Sequence, residues 1–275
     1  MIAWKLKSWR SVGAVAAVAA LAACGGEGGA GGEAGSGGEG GESGEAAVTA
    51  PPAAGATAPT PGGGEAGEAG AATAYAGLSG DQLTALRLQH LKGFVMAAAA
   101  ATAENLPNDA GVLVSQGLLE VYDVAPTEFG SLNVDIVRAA GDAAELNRAQ
   151  RMQRIRDAEA EIERASEALD AEAAITVARM VDIATGLYQS VVQEDFVDPI
   201  EYQHSMGAAM AARDALIRGE GQLRGENLRA YSEAQGALNR FVALWPQATA
   251  PETPASYRDV LAQGSRVRLA LSPFL

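Results

Sequence analysis

SGDQLTALRLQHLKGFVMAAAAATAENLP, residues 79 to 107, decides the fold class. Leu83, Leu86, Leu91, Phe94 and Val95 recur at three- and four-residue spacing rather than alternating, which is the period of one face of an α-helix. Ser79 precedes the apolar run with Gln82 three residues on. That order predicts a capping box, the Ser79 hydroxyl accepting from the first-turn backbone while the Gln82 side chain reaches back. The helix should end near Asn105, because Pro107 lacks the N–H that a helix interior needs.

The same spacing continues outward from this stretch. A second helix is expected from about Asp109 to Val124, carrying Val112, Leu113, Leu119 and Tyr122 and stopping before Pro126. The two should form an antiparallel hairpin. After a loop with Pro126 and Gly130, a short helix around Val134 to Ala139 leads to a long charged one from about Asp142. There Ile155, Ile162 and Leu169 stand seven apart with Ala158 and Ala165 between them, a narrow stripe that suits one close partner helix. Arg148, Arg151, Arg154 and Arg156, followed by Glu159, Glu161, Glu163 and Glu167, read as a solvated face of i,i+4 pairs, with a dock for an acidic partner as the alternative.

Helicity is expected to run on through Ile175, Met180, Ile183, Leu187 and Val191 to near Phe196. Asp198 and Pro199 restart it as N-cap and first helical residue, and Gly219 and Gly221 follow its end. Another helix spans about Glu226 to Trp245, and a last one lies between Pro254 and Pro273. Residues 74–275 therefore read as an all-α domain of antiparallel helical hairpins or a bundle, about six to eight helices, large enough to bury a core. No repeat of fixed period is found.

Ahead of this domain the composition changes. Residues 25–73 hold 18 of the 33 glycines, seven glutamates and no basic or aromatic residue, so they cannot bury a core and read as a disordered acidic tether. A Gly-rich coil of that length spans roughly 35 to 42 Å. Residues 1–23 have the form of a signal peptide: Lys5, Lys7 and Arg10, then an Ala- and Val-rich core from Val12 to Leu21. That core is shorter than the about 20 apolar residues a membrane span needs.

Leu21-Ala22-Ala23-Cys24 resembles the lipobox of bacterial lipoproteins, read by prolipoprotein diacylglyceryl transferase and signal peptidase II. The resemblance covers residues 1–24 and implies a covalent lipid on Cys24, which becomes the first mature residue. An ordinary secretory peptide with a cysteine nearby is the alternative. Gly25, where an acidic residue would imply inner-membrane retention, implies the outer membrane, with the domain facing the periplasm. Multiple acyl chains anchor a protein stably where one binds only marginally.

Composition narrows the chemistry. Losing Lys5, Lys7 and Arg10 with the signal leaves 17 basic residues against 34 acidic ones, a formal charge of −17. Such a surface repels phosphate backbones, so nucleic acid is not an expected partner. The lipid anchor, rather than anionic-lipid adhesion, is the expected membrane link, alongside an envelope protein partner. Cys24 is the only cysteine, which removes disulfides, thiolate-ligated zinc, iron–sulfur clusters and cysteine nucleophiles from the helical domain. No Gly-x-Ser-x-Gly, His-Glu-x-x-His or phosphate-binding glycine loop occurs, and neither enzymatic activity nor a bound cofactor is expected. Lys92, the one lysine beyond the leader, is expected in a solvated role.

His90 and His204 are the two histidines. His90 lies four residues from both Leu86 and Phe94, which points it into the hairpin core, and Glu120 on the second helix is placed to face it. Glu201 and His204 have the Glu-x-x-His spacing of carboxylate-bridged di-iron bundles, but those need a second such motif and two further glutamates. His204 therefore reads as a surface or capped histidine, with His90, Glu120, Glu201 and His204 as the candidate metal ligands.

Gly93-Phe94-Val95 and Gln116-Gly117-Leu118-Leu119-Glu120-Val121-Tyr122 resemble the Gly-His-aliphatic and His-Pro-x-x-Glu-x-Tyr motifs of a group of proteobacterial helical proteins. The resemblance spans about residues 83–122, with an echo at Glu201-Tyr202 and Trp245-Pro246. Glu120 and Tyr122 match, while Phe94 and Gln116 stand at the two histidine positions, so the ligation those histidines perform is not available here. The broader analogy is to periplasmic iron-regulated proteins of the imelysin type, whose His-x-x-Glu motif is absent from this chain. The expected function is a non-enzymatic, membrane-anchored binding or scaffolding module of the cell envelope, with periplasmic metal handling as the alternative.

Overall fold

The computed structural model describes residues 73–142, 146–193 and 196–275. The signal peptide, Cys24 and the tether as far as residue 72 lie outside the described residues. Eight α-helices are described: α1 Gly80–Ala103, α2 Pro107–Gly117, α3 Val134–Gly141, α4 Arg148–Ser166, α5 Ala173–Tyr188, α6 Pro199–Arg218, α7 Glu220–Val242 and α8 Tyr257–Leu271. The all-α reading holds, with one addition. Val192–Gln193 (β1) and Phe196–Val197 (β2) pair antiparallel in a two-residue ladder where helicity was expected to persist. Among the described residues no helix is long and apolar enough to cross a membrane.

The helices close two rings. In the first, α1 packs on α2, α2 on α3, α3 on α4 and α4 back on α1. In the second, α6 packs on α7, α7 on α8, α8 on α5 and α5 on α6. The two four-helix rings join chiefly where α1 meets α6, and one continuous apolar core runs through both. Four members of the expected stripe of α4, Ile155, Ala158, Ile162 and Ala165, are buried, whereas Leu169 lies past the helix end and is half-buried, and α4 packs on two helices, α1 and α3, rather than one.

Sequence correspondences accompany the repeated packing. Gln-His-x-x-Gly-x-x-Met-Ala-Ala occurs at 89–98 on α1 and at 203–212 on α6. Gln-Gly-x-Leu occurs at 116–119 and at 235–238, followed by an aromatic at Tyr122 and at Phe241. Two copies more than 100 residues apart have no fixed short period, so a search for periodicity passes over them. Their purpose is packing. A Cβ on Gly93 would lie 3.0 Å from the carbonyl carbon of Gly207, and one on Gly207 would lie 2.9 Å from that of Gly93. Only glycine lets the two backbones approach this closely. Gln89 and Gln203, both buried, each donate from Nε2 to a backbone carbonyl, that of Ala211 at 2.7 Å and that of Ala248 at 3.3 Å.

Several boundaries differ from expectation for identifiable reasons. The long helix breaks between Ser166 and Ala173. The capping box at Ser79 does not form: the Ser79 side chain makes no cap hydrogen bond. Asp81 and Gln82 serve the break instead. Asp81 Oδ2 accepts from the Asp170 amide at 2.9 Å, Gln82 Oε1 accepts from the Glu172 amide at 2.8 Å, and Gln82 Nε2 donates to Thr176 Oγ1 at 3.0 Å. Side chains that look like a local cap are thus satisfying backbone groups some 90 residues away. A true capping box forms at Asn147 and Gln150. Asp198 caps α6 as expected, its Oδ1 accepting from Ile200 and Glu201, with Pro199 at the first helical position. In α7 the backbone kinks at Asn227, whose Oδ1 accepts from the Ala230 amide and starts the longer segment.

Candidate functional site

The second helix of the first hairpin does not end at Gly117 but widens into a π-helical turn, Leu118–Tyr122, closed by the Asp123 amide donating to the Leu118 carbonyl at 2.8 Å. Single π turns insert a residue and re-aim the side chains around them. The Phe94 ring fills the space beside this turn. A Cβ on Gly117 would lie 2.7 Å from Phe94 Cβ and Cγ, so a side chain at 117 would displace the ring. The matching segment of α7 around Gly236 stays α-helical.

Around Phe94 the two histidines converge, although 114 residues separate them in sequence. The Phe94 ring centroid lies 5.5 Å from that of His90 and 4.7 Å from that of His204. Both imidazoles are 5% exposed. His90 points into the hairpin core as its spacing implied, while His204, read as surface or capped, is buried. It donates from Nε2 to Gln116 Oε1 at 3.0 Å. Gln116 therefore does hold an imidazole in place, by a hydrogen bond rather than by being one.

Glu120, carried by the π turn, meets the other histidine from the one expected. Its Oε2 lies 3.9 Å from His204 Nδ1, whereas His90 Nδ1 is hydrogen-bonded at 2.5 Å to the hydroxyl of Tyr75, just before α1. Burial pushes His90 down to about 3, with the nearby charges of His204 and Arg87 adding to the effect. Burial likewise pushes His204 down to about 4, against a smaller opposing pull from Asp198. Both rings are neutral at pH 7, so His204 and Glu120 do not form an ion pair there. Burial also raises the Tyr75 hydroxyl, which stays protonated.

A cavity of about 250 Å³ opens on this cluster, lined by Tyr75, His90, Phe94, Glu120, Val121 and Leu187 among others. His90 Nε2 is buried and has no hydrogen-bond partner among the described residues. Whichever tautomer the Tyr75 contact selects, Nε2 is left as either a bare donor or a bare acceptor, a state that costs about 1–3 kcal/mol. An apolar cavity with a few convergent polar groups is the usual form of a small-ligand site.

Of the candidate metal ligands, Glu201 is buried on the first turn of α6, one turn before His204. Among the described residues no group of three or more His, Cys, Asp or Glu side chains is arranged to hold a metal ion. His90, Glu120 and His204 gather around Phe94 without forming such a set.

Lys92 departs furthest from its expected solvated role. It is 2% exposed, and its ammonium donates to Glu163 Oε1 on α4 and Asp214 Oδ2 on α6, both at 2.7 Å. Arg218 and Gln89 also donate to Asp214, at 3.1 Å each. Burial alone would raise the Asp214 carboxyl, but Lys92, Gln89 and Arg218 more than offset it and hold it below its ordinary value. The network ties α1 to α4 and α6, with Lys92 midway in sequence between His90 and Phe94. No local pattern announces it, because its acids come from helices 71 and 122 residues away.

Compared with protein-family models, curated proteins and solved structures, the chain matches none of them, and so no enzymatic family or relative is found.

Proposed function

We propose that this chain is a lipid-anchored, non-enzymatic binding module of the cell envelope, and that its helical domain takes a small ligand in the cavity beside His90. The observation that carries the reading is a cavity lined mainly by apolar side chains, with His90 in its wall and the buried His90 Nε2 left without a partner among the described residues. A polar atom held in that state fits a site completed by a ligand group. The lipobox resemblance at residues 21–24 and the acidic stretch that follows support a placement at the outer membrane, with the domain held off the bilayer.

The second reading is periplasmic metal handling, in line with the resemblance of residues 83–122 to the proteobacterial helical group. It is favoured by the approach of Glu120 to His204 and of both histidines to Phe94. One experiment separates the two. The protein is purified from solubilised envelopes with its anchor intact and without chelator, then examined by native mass spectrometry and elemental analysis. An organic mass that His90→Leu removes supports the first reading. Stoichiometric iron, copper or zinc that disappears when both histidines are replaced supports the second. A hydrolytic or redox activity abolished by a point change in the helical domain overturns both. Cys24→Ser should release the protein from the membrane fraction, and retention there would refute the anchor.

A further inference from the structure

A separate cleft of about 500 Å³ opens between the C-terminal end of α1, the middle of α6, the end of α7 and the turn Trp245–Ala248. It shares no lining residue with the His90 cavity. Its size falls in the range of ligand pockets, about 300–1,000 Å³. Met206, Met210 and Val242 supply apolar lining, and methionines adapt to irregular shapes.

Two polar groups in the cleft are unspent. Trp245 is 5% exposed, with its ring edge-on to Tyr188 at 5.4 Å and to Phe241 at 5.1 Å, so its position is fixed. Its Nε1 hydrogen is buried and finds no acceptor among the described residues. An indole N–H is a donor only, and a buried one normally has a partner. Arg213 lines the same cleft, half-buried, and makes no hydrogen bond or ion pair with the described residues. Glu104 is the one acidic residue in the lining, and among the described residues it makes no ion pair with Arg213. Its carboxylate accepts from the Ala248 amide at 2.5 Å and from the Thr249 amide and hydroxyl at 3.0 Å each. Those bonds build the wall of the cleft and hold the carboxylate away from the guanidinium.

We propose that this cleft binds an amphipathic organic anion of the free medium-chain fatty acid class. The carboxylate accepts from the Arg213 guanidinium, and the chain lies on Met206, Met210 and Val242, with the enclosed Trp245 indole in the wall. A planar guanidinium pairs with a carboxylate through two parallel hydrogen bonds. The site is independent of His90 and stands whether or not the His90 cavity binds anything.

The test is titration of the full chain with decanoate, followed by calorimetry and by the ¹⁵N–¹H signal of the indole. Trp4 and Trp9 leave with the signal peptide, so the lipidated chain should give one indole signal, which Trp245→Phe removes. Saturable binding with a shift of the Trp245 indole signal is expected. Arg213→Gln should weaken binding at least tenfold with the thermal midpoint unchanged, and decan-1-ol should bind at least tenfold more weakly than decanoate. His90→Leu should leave decanoate binding intact. Absence of saturable binding overturns the proposal. So does equal affinity for decanoate and decan-1-ol in the unaltered protein, a result that does not depend on any variant folding.

Discussion

Gly93 and Gly207 meet backbone to backbone where α1 crosses α6, and each is the fifth residue of a Gln-His-x-x-Gly segment. The crossing brings His90 and His204 against one phenylalanine ring, because each histidine stands three residues before its glycine on the same helix face. The histidine cluster is a by-product of how closely two helices pack.

Gly207→Ala should therefore destabilise the domain, since its Cβ would press on the Gly93 backbone, which cannot rotate away. A loss of about 2 kcal/mol is expected after the gain in helix propensity is set against the overpacking. Gly221→Ala is the control: it lies exposed on α7 with nothing within 4 Å of its Cβ position, and it should stabilise by about 0.5–1 kcal/mol. Denaturant midpoints at constant slope decide both.

Acid should destabilise the protein in a window the histidines define. Both titrate at 6.5 when free but only at about 3 and about 4 when folded. Between those limits the unfolded chain binds protons that the folded one does not, so stability falls as pH drops below 6.5. The His204 share levels off below about pH 4 and amounts to roughly 3 kcal/mol. His204→Gln should flatten the dependence of the unfolding free energy on pH between 6.5 and 4. An unchanged slope would mean that His204 is not buried neutral.

Lys92→Met removes the one cation that both Glu163 and Asp214 share. Asp214 remains partly enclosed with Arg218 and Gln89, and Glu163 is half exposed, so the cost should be about 2 kcal/mol rather than the 3–5 of a fully buried orphaned charge. Adding Asp214→Asn to Lys92→Met should recover part of that loss. A double-mutant cycle with no coupling would contradict the network.

Gln82→Ala should cost about 1 kcal/mol and loosen the start of α5. Its Oε1 and Nε2 hold the Glu172 amide and Thr176 across the helix break. Faster amide hydrogen exchange at Glu172, with exchange in α8 unchanged, is the expected pattern.

Local sequence patterns match the structure where the physics is local. Asp198 and Pro199 start a helix because a short carboxylate accepts from nearby amides and proline's fixed φ suits the first turn. Ile155, Ala158, Ile162 and Ala165 face inward because helical period alone puts them on one side. Ser79 and Gln82 misled for the opposite reason. Their cap geometry was possible locally, but the unsatisfied backbone at Glu172 offered Gln82 the better partner.

By itself, then, the sequence determined the helical class, most of the helix starts and stops, and the restriction on cysteine chemistry, since each depends on neighbours within a turn or on composition. Tertiary structure alone decided that α5 joins α6, α7 and α8 in a ring matching the first, that Lys92 is buried, that Glu120 approaches His204 rather than His90, and that His204 leaves the surface for the core. All four depend on which helices meet. The two histidine placements follow a close approach licensed by glycines at the α1–α6 crossing and beside the π turn, and no local pattern encodes which distant backbone will fill the space a missing Cβ leaves.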